Sequence, residues 1–333
     1  MMSNKIAVLG AGSWGTALAM QAARNGCPTL LWGHNPAHME TLKQDRENHR
    51  YLPNLLFSEN LAITDDLADI AAFSDLILVS VPSHAFKDTL MKLKPLVSSN
   101  VKIAWATKGF NKENGGLLHE IVADIFGENT PAALISGPSF AREVAADLPT
   151  AISIASTQAE FATQLASIMH SKRFRTYTNS DLIGVEVGGA VKNVMAIAAG
   201  IADGLGLGMN ARAALITRGL AEITRLGVVL GGRSETFMGL TGMGDLILTC
   251  TGDLSRNRQV GLGLAAGKSL QDIVTELGHV AEGVRCVQAV RTIAHQHHID
   301  MPIVDAVARV VFDSEAPSRV IQQLLAREAK LEN

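Results

Sequence analysis

Residues 6–15 read IAVLGAGSWG, a short aliphatic run followed at once by Gly10, Gly12 and Gly15. A helical pattern from Thr16 to Asn25 comes next and is ended by Gly26. Strand, GxGxxG and helix in that order restrict the fold far more than the glycines alone, which a ligand-free turn could also carry. The first glycine permits a tight turn, the second lets a pyrophosphate approach the backbone, and the third lets helix and strand pack closely. The helix N-terminus adds free N–H groups and a partial positive charge. A dinucleotide is the ligand such a cradle suits.

The pattern continues through the first half. Thr29 to Trp32, Leu76 to Val81, Val101 to Ala106, Ala132 to Ile135, Ala151 to Ala155 and Phe174 to Tyr177 are strand candidates, separated by turns and helical segments such as Glu160 to His170. From Asp181 onward the strand signals fade into Ala-, Leu- and Gly-rich helical patterns. The expected fold is therefore α/β: a Rossmann-type doubly wound parallel sheet domain over residues 1–180, then an all-α domain over 181–333.

Charge narrows the partners. Lys+Arg 29 against Asp+Glu 32 leaves a formal charge of −3, so no basic field exists to hold a nucleic acid or an acidic membrane. An anion must be held locally. Cys27, Cys250 and Cys286 are far apart and form no CxxC pair, which suggests neither disulfides nor zinc. His295, His297 and His298 read as a solvated helix end, so no metal is expected. The N-terminal residues lack a signal-peptide pattern, and the most apolar stretch, Val187 to Met209, contains Lys192, Asn193 and Asp203. The expectation is a cytoplasmic protein without an integral membrane segment.

In an open parallel sheet, ligands bind beyond the carboxyl ends of the strands. The loops there are GAGSWG, GHN, VPSHAF, ATKGF and SGPSF, which contribute one strong cation, Lys108, and small residues including Gly109, Gly137 and Ser139. After the second strand the chain reads Trp32, Gly33, His34, Asn35, with no carboxylate to engage an adenosine ribose. NADPH should then be accepted at least as well as NADH. His34 could meet a 2′-phosphate or be an exposed loop histidine with no role.

Two features of the second half carry chemistry. Lys192 lies in the middle of an apolar helical stretch, where burial would penalise its charge and lower its pKa unless a partner holds it. Its side chain should lean over Gly188 and Gly189, whose lack of side chains would leave an open slot. The segment TGMGDLILTCTGDLSRNR should place Asp245 at a turn or helix start inside the structure. Ser255, Arg256, Asn257 and Arg258 then offer hydroxyl, guanidinium and amide donors to a phosphate, or form an exposed polar loop.

With these segments in view, the chain resembles the bacterial NAD(P)-dependent glycerol-3-phosphate dehydrogenases. The resemblance runs in order through GAGSWGTALA, VPSHAF, WATKGF, SGPSFAREV, PTAIS, GGAVKNVMAIAAGIADGLGLG, NARAALITRGLAE, FMGLTGMGDLILTCTGDLSRNR and AEGVRC. It implies that Gly10, Gly12, Ser13, Trp14, Gly15, His34, Tyr51, Lys108, Ala141, Arg256, Val280 and Glu282 line the cofactor site, for NADPH or NADH. It implies Lys108, Gly137, Ser139, Lys192, Asp245, Ser255, Arg256 and Asn257 as substrate contacts, with Lys192 the proton acceptor or donor. The implied reaction interconverts dihydroxyacetone phosphate and sn-glycerol 3-phosphate, supplying glycerol phosphate for phospholipid synthesis. Exposed Ala/Leu helical faces leave room for a homodimer. The rivals are a dehydrogenase of another small hydroxy acid and a dinucleotide sensor without chemistry.

Overall fold

The structure is a computed structural model that describes residues 5–277 and 282–326. The chain divides into two compact units between Glu186 and Val187.

In the first unit, β1 (Ile6–Leu9), β2 (Thr29–Trp32), β3 (Leu61–Thr64), β4 (Leu76–Val79), β5 (Lys102–Trp105), β6 (Ala132–Ser136), β7 (Thr150–Ala155) and β8 (Phe174–Asn179) form one sheet. Its order is β3-β2-β1-β4-β5-β6-β7-β8. The sheet is covered by α1 (Ser13–Arg24), α2 (Pro36–Asp45), α3 (Leu67–Phe73), α4 (Ser83–Leu93), α5 (Leu118–Phe126), α6 (Ala141–Ala145) and α7 (Ala159–Met169). Successive residues of β1 enter different cores: Ile6 and Val8 join Leu18, Leu31 and Ile135 on one face, while Ala7 and Leu9 join Phe86 and Trp105 on the other. Burial on both faces is why the strands read as continuous apolar runs.

Two strand features depart from the sequence expectation. β3 was not anticipated, and β7 runs antiparallel to β6 although its other neighbour, β8, is parallel to it. The connection from β6 to β7 carries only the five-residue α6. A helix of that length advances about 7.5 Å, far short of the roughly 20 Å needed to return along a six-residue strand. The chain therefore doubles back.

The second unit is helical: α8 (Leu182–Gly204, whose first residues belong to the first unit), α9 (Gly208–Val229), α10 (Ser234–Phe237), a π-helical turn (Leu240–Gly244), α11 (Asp245–Thr251), α12 (Arg256–Ala265), α13 (Leu270–Leu277), α14 (Glu282–Gln296), α15 (Pro302–Val311) and α16 (Pro317–Leu325). Among the described residues, α8 alone has the length and mean hydropathy (1.5) of a membrane span, and 94% of that window is buried within the protein. It is a core helix. α12 crosses it in backbone contact: a Cβ on Gly200 would lie 2.1 Å from the Arg258 carbonyl oxygen, and one on Gly261 would lie 2.1 Å from that of Ile197.

Buried carboxylates cap helix starts in both units. In the second, Glu222 accepts from the backbone N–H of Ile303 (2.8 Å) and Val304 (3.2 Å), and burial still pushes its pKa up to about 7. In the first, Glu186 Oε1 accepts from the N–H of Leu118 (2.7 Å) and His119 (3.2 Å), while Oε2 lies 2.7 Å from His119 Nδ1. Burial opposes protonation of His119, but the hydrogen bond and charge of Glu186, helped by Glu120, leave its pKa raised.

A group with a raised folded pKa stabilises fully below its unfolded value, near 6.5, and loses that contribution as pH climbs through the folded value. His119→Ala should therefore cost on the order of 1 kcal/mol at pH 6 and progressively less toward pH 9. Urea midpoints across that range measure it; an offset independent of pH would contradict the pairing.

Candidate functional site

The strand order reverses at β1, which has β2 on one side and β4 on the other. Such a switch point opens a crevice at the carboxyl ends of the two central strands. Gly10 leaves β1 with φ +119°, and a side chain there would meet the Ser80 carbonyl oxygen at 2.7 Å. Only glycine serves at that position. A Cβ on Gly15 would lie 1.9 Å from the Gly10 carbonyl oxygen, so this glycine seats α1 on the loop. Gly12 differs, because a Cβ there would meet nothing within 4 Å. That space is what a pyrophosphate would fill.

The start of α1 is equally suited to an anion. Gly12 is its N-cap, and no side chain caps the helix. Among the described residues, Trp14 Nε1 is buried without a hydrogen-bond partner. The open cradle, uncapped helix start and orphaned indole N–H fit the phosphates of a dinucleotide.

Residues beyond the motif brace this loop. Asn48 Nδ2 donates to the Ala11 carbonyl (3.1 Å) and to Thr16 Oγ1 (2.9 Å). The next turn carries Arg50 and Tyr51, with the guanidinium 5.2 Å from the ring centroid. Tyr51 also meets His38 of α2 edge-on at 5.7 Å. Burial holds the His38 pKa below its ordinary value, the Ala11 backbone opposes this, and the charges of Arg50 and His34 lower it further. His34, exposed, and Tyr51 thus gather with His38 and Arg50 beside the glycine loop. Asn48, His38 and Arg50 had no motif to announce them.

Along the same sheet edge, Lys108 Nζ (3.2 Å) and Ser139 Oγ (2.9 Å) both donate to the carbonyl of Gly137, whose φ is +134°. The structure thereby brings Lys108, Gly137 and Ser139 together. Ala141, the first residue of α6, packs against the core that also receives Trp14.

In the second unit, Lys192 is 6% exposed and Asp245 is 1% exposed. Lys192 Nζ donates to Asp245 Oδ1 at 2.5 Å and to Thr249 Oγ1 at 2.8 Å. Thr249 in turn donates to the Asp245 carbonyl at 2.6 Å. Residues four apart share a helix face, so Asp245 and Thr249 present two oxygens from one side of α11. The spacing was legible in the sequence, yet Thr249 was overlooked. Asp245 follows the π-helical turn, a form of winding common at functional sites.

At Gly188 the expected open slot is corrected. A Cβ on Gly188 would lie 3.1 Å from the Thr241 carbonyl oxygen, so the space admits neighbouring backbone. Lys192 is paired with α11 instead.

Ser255 is the N-cap of α12 and is buried; its Oγ accepts from the Arg258 N–H. Arg256 and Asn257 are the first two residues of the helix. Asn257 Nδ2 donates to Asn193 Oδ1 (2.9 Å), and its Oδ1 accepts from the Gly283 N–H (3.0 Å). Asn193, beside Lys192 in sequence, is a further site residue that the motif reading missed. Arg258 pairs with Asp203, whose side chain is largely buried, and with the exposed Asp253. Glu282 begins α14, whereas Val280 lies outside the described residues. The Cys250 thiol is pushed up to about 12 by burial, against a smaller opposing pull from Lys192, so it supplies no thiolate.

Comparison with known proteins gives the family. The model of the NAD-dependent glycerol-3-phosphate dehydrogenase N-terminus matches residues 5–162, and that of the C-terminus matches residues 181–322. Glycerol-3-phosphate dehydrogenase [NAD(P)+] of Janthinobacterium sp. is 56% identical over 328 residues, covering 98% of both chains. Its counterpart from Colwellia psychrerythraea is 51% identical over 332 residues, with 99% of each covered. The solved glycerol-3-phosphate dehydrogenase of Coxiella burnetii superimposes with a TM-score of 0.94 at 47% identity, covering 97% of this chain and 99% of that one. Bound NADPH or NADH is the cofactor this kinship implies. The chain belongs to the NAD(P)-dependent glycerol-3-phosphate dehydrogenase family.

Proposed function

We propose that Lys192 is the proton donor and acceptor in the interconversion of dihydroxyacetone phosphate and sn-glycerol 3-phosphate. The observation that carries this reading is the buried ammonium held by Asp245 at 2.5 Å and Thr249 at 2.8 Å. Reduced nicotinamide, when bound, supplies the hydride that C2 of the ketone accepts. Negative charge then grows on the carbonyl oxygen, and Lys192 donates a proton to it, giving the alcohol. Asp245 keeps the ammonium aimed and compensates its charge, and Thr249 fixes the position of its nitrogen. In the reverse direction the neutral amine takes the hydroxyl proton as hydride leaves C2.

Ser255, Arg256 and Asn257 at the start of α12 hold the substrate phosphate with side-chain donors and the helix dipole, so that binding energy orients the reacting carbon. Lys108, Gly137 and Ser139 also contact substrate. Gly10, Gly12, Ser13, Trp14, Gly15, His34, Tyr51, Lys108, Ala141, Arg256, Val280 and Glu282 serve the cofactor. The enzyme works in the cytoplasm and supplies glycerol phosphate for phospholipid synthesis.

Lys192→Ala should retain NADPH affinity but lose on the order of 10² or more in kcat, the contribution of a general acid. Absorbance of NADPH on adding dihydroxyacetone phosphate reads it, and near-normal turnover would refute the assignment. Gly12→Ala should keep the melting temperature and weaken NADPH binding at least about tenfold, because its Cβ enters open space meant for phosphate. Gly15→Ala should instead lower the melting temperature. Titration of both cofactors should give an NADPH dissociation constant no larger than that for NADH; a strong NADH preference would sink the reading of the loop after β2.

A further inference from the structure

The α8–α12 crossing is smooth. Gly200 meets Gly261 there, and a Cβ on Gly204 would lie 2.5 Å from that of Ala265. Close backbone contact fixes which face the middle of α12 turns to α8, but the side chains at the start of α12 must be held by other partners. A charged network lies beside this crossing. Asp203, near the end of α8, accepts from Arg258 Nε through Oδ2 (2.8 Å). Its Oδ1 accepts from Arg212 Nε (2.7 Å) and pairs with Nη2 (2.6 Å). Arg258 Nη1 reaches Asp253 Oδ1 at 2.9 Å. The Asp203 and Arg258 side chains are only 8% and 11% exposed.

Desolvating such a pair costs about what its attraction returns, and well-packed apolar side chains would often stabilise more. What charged pairs do supply is directionality. Arg258 is the third residue of α12, and its own N–H is bound by the Ser255 hydroxyl. The network therefore grips the turn that carries Ser255, Arg256 and Asn257.

We propose that Asp203 and Arg258 are positioning residues for substrate phosphate: through their ion pair they hold the first turn of α12, and with it the aim of the three phosphate donors. The proposal rests on the reading that Ser255, Arg256 and Asn257 hold the phosphate. The ligand concerned is a small phosphate monoester dianion, whose recognition depends on several converging N–H and O–H groups.

The test compares dihydroxyacetone phosphate with unphosphorylated dihydroxyacetone in Asp203→Asn, Arg258→Lys and Arg256→Ala. Asp203→Asn should raise KM for the phosphorylated ketone about tenfold, keep kcat within about threefold, and leave kcat/KM for dihydroxyacetone unchanged. Arg258→Lys keeps the charge but not the two-headed fork, so it should give a smaller rise, about threefold. Calorimetry of sn-glycerol 3-phosphate with the NADP+-saturated enzyme should show the same loss of affinity without turnover. If Asp203→Asn does not fold, Arg258→Lys reads the same ratio. An unchanged KM in the variants, or an equal loss for both ketones, overturns the proposal. Should Arg256→Ala leave KM for the phosphorylated ketone unaltered, the parent reading of the phosphate site fails; if that variant raises KM and the positioning variants do not, only this inference fails.

Discussion

Taking the Lys192 ammonium out of water is the constraint around which the helical unit is arranged. An unpaired buried charge of that kind costs several kcal/mol, so the fold must bring a carboxylate to it. Asp245 does so from the first turn of α11, and Thr249 one turn later adds a second oxygen. The preceding π-helical turn is packed down to backbone contact: a Cβ on Gly242 would sit 2.0 Å from the Phe237 carbonyl oxygen, and Gly188 of α8 lies against Thr241. Side chains at those positions would push Asp245 away from the ammonium. Small residues are thus the means by which a short ion pair can exist inside an apolar helix bundle.

The same economy appears wherever this chain handles an anion. With a formal charge of −3, long-range attraction does not gather phosphates onto it. On the proposed reading, two helix starts do so locally. At α1 the glycine loop leaves the first N–H groups open and removes side chains from the approach. At α12 the buried Ser255 caps the helix while the backbone contact with α8 holds its axis close. In each case glycine serves packing as much as ligand binding, and Gly12 stands apart because a side chain there would touch no protein atom.

The sheet was legible because residues such as Ile6–Leu9 and Leu76–Val79 are buried on both faces and leave unbroken aliphatic runs. β3 escaped because Leu61–Thr64 is four residues long and buried only at its ends. The reversed β7 escaped because strand direction is set by the length of the connection and not by the strand itself. At the site, Lys192 stood out as a charge in an apolar helical stretch, Asp245 as an acid after a glycine-rich turn, and Ser255 to Asn257 as a run of hydrogen-bond donors. Asn48, Asn193 and Asp203 did not. Each acts through a partner distant in sequence, 64 residues away in the case of Asn193 and Asn257, and no local spacing encodes such a meeting. The open slot was misread for a related reason: absence of a side chain on one helix marks a close neighbour as readily as a cavity.

That distinction bears on how the proposed phosphate donors are organised. The charges around α12 satisfy one another within the network, since Asp203 bridges Arg212 and Arg258, and Arg258 also meets Asp253. Two acids set against two bases add little net field at the helix start. Their effect on a ligand must then come through geometry, by fixing where Ser255 and Asn257 stand, rather than through attraction at a distance. Asn257 fits this division of labour, since its amide is tied to Asn193 and to the Gly283 N–H. A donor already held by two partners loses little rotamer freedom when it meets a phosphate, so more of the binding energy is left to orient the carbon that receives hydride.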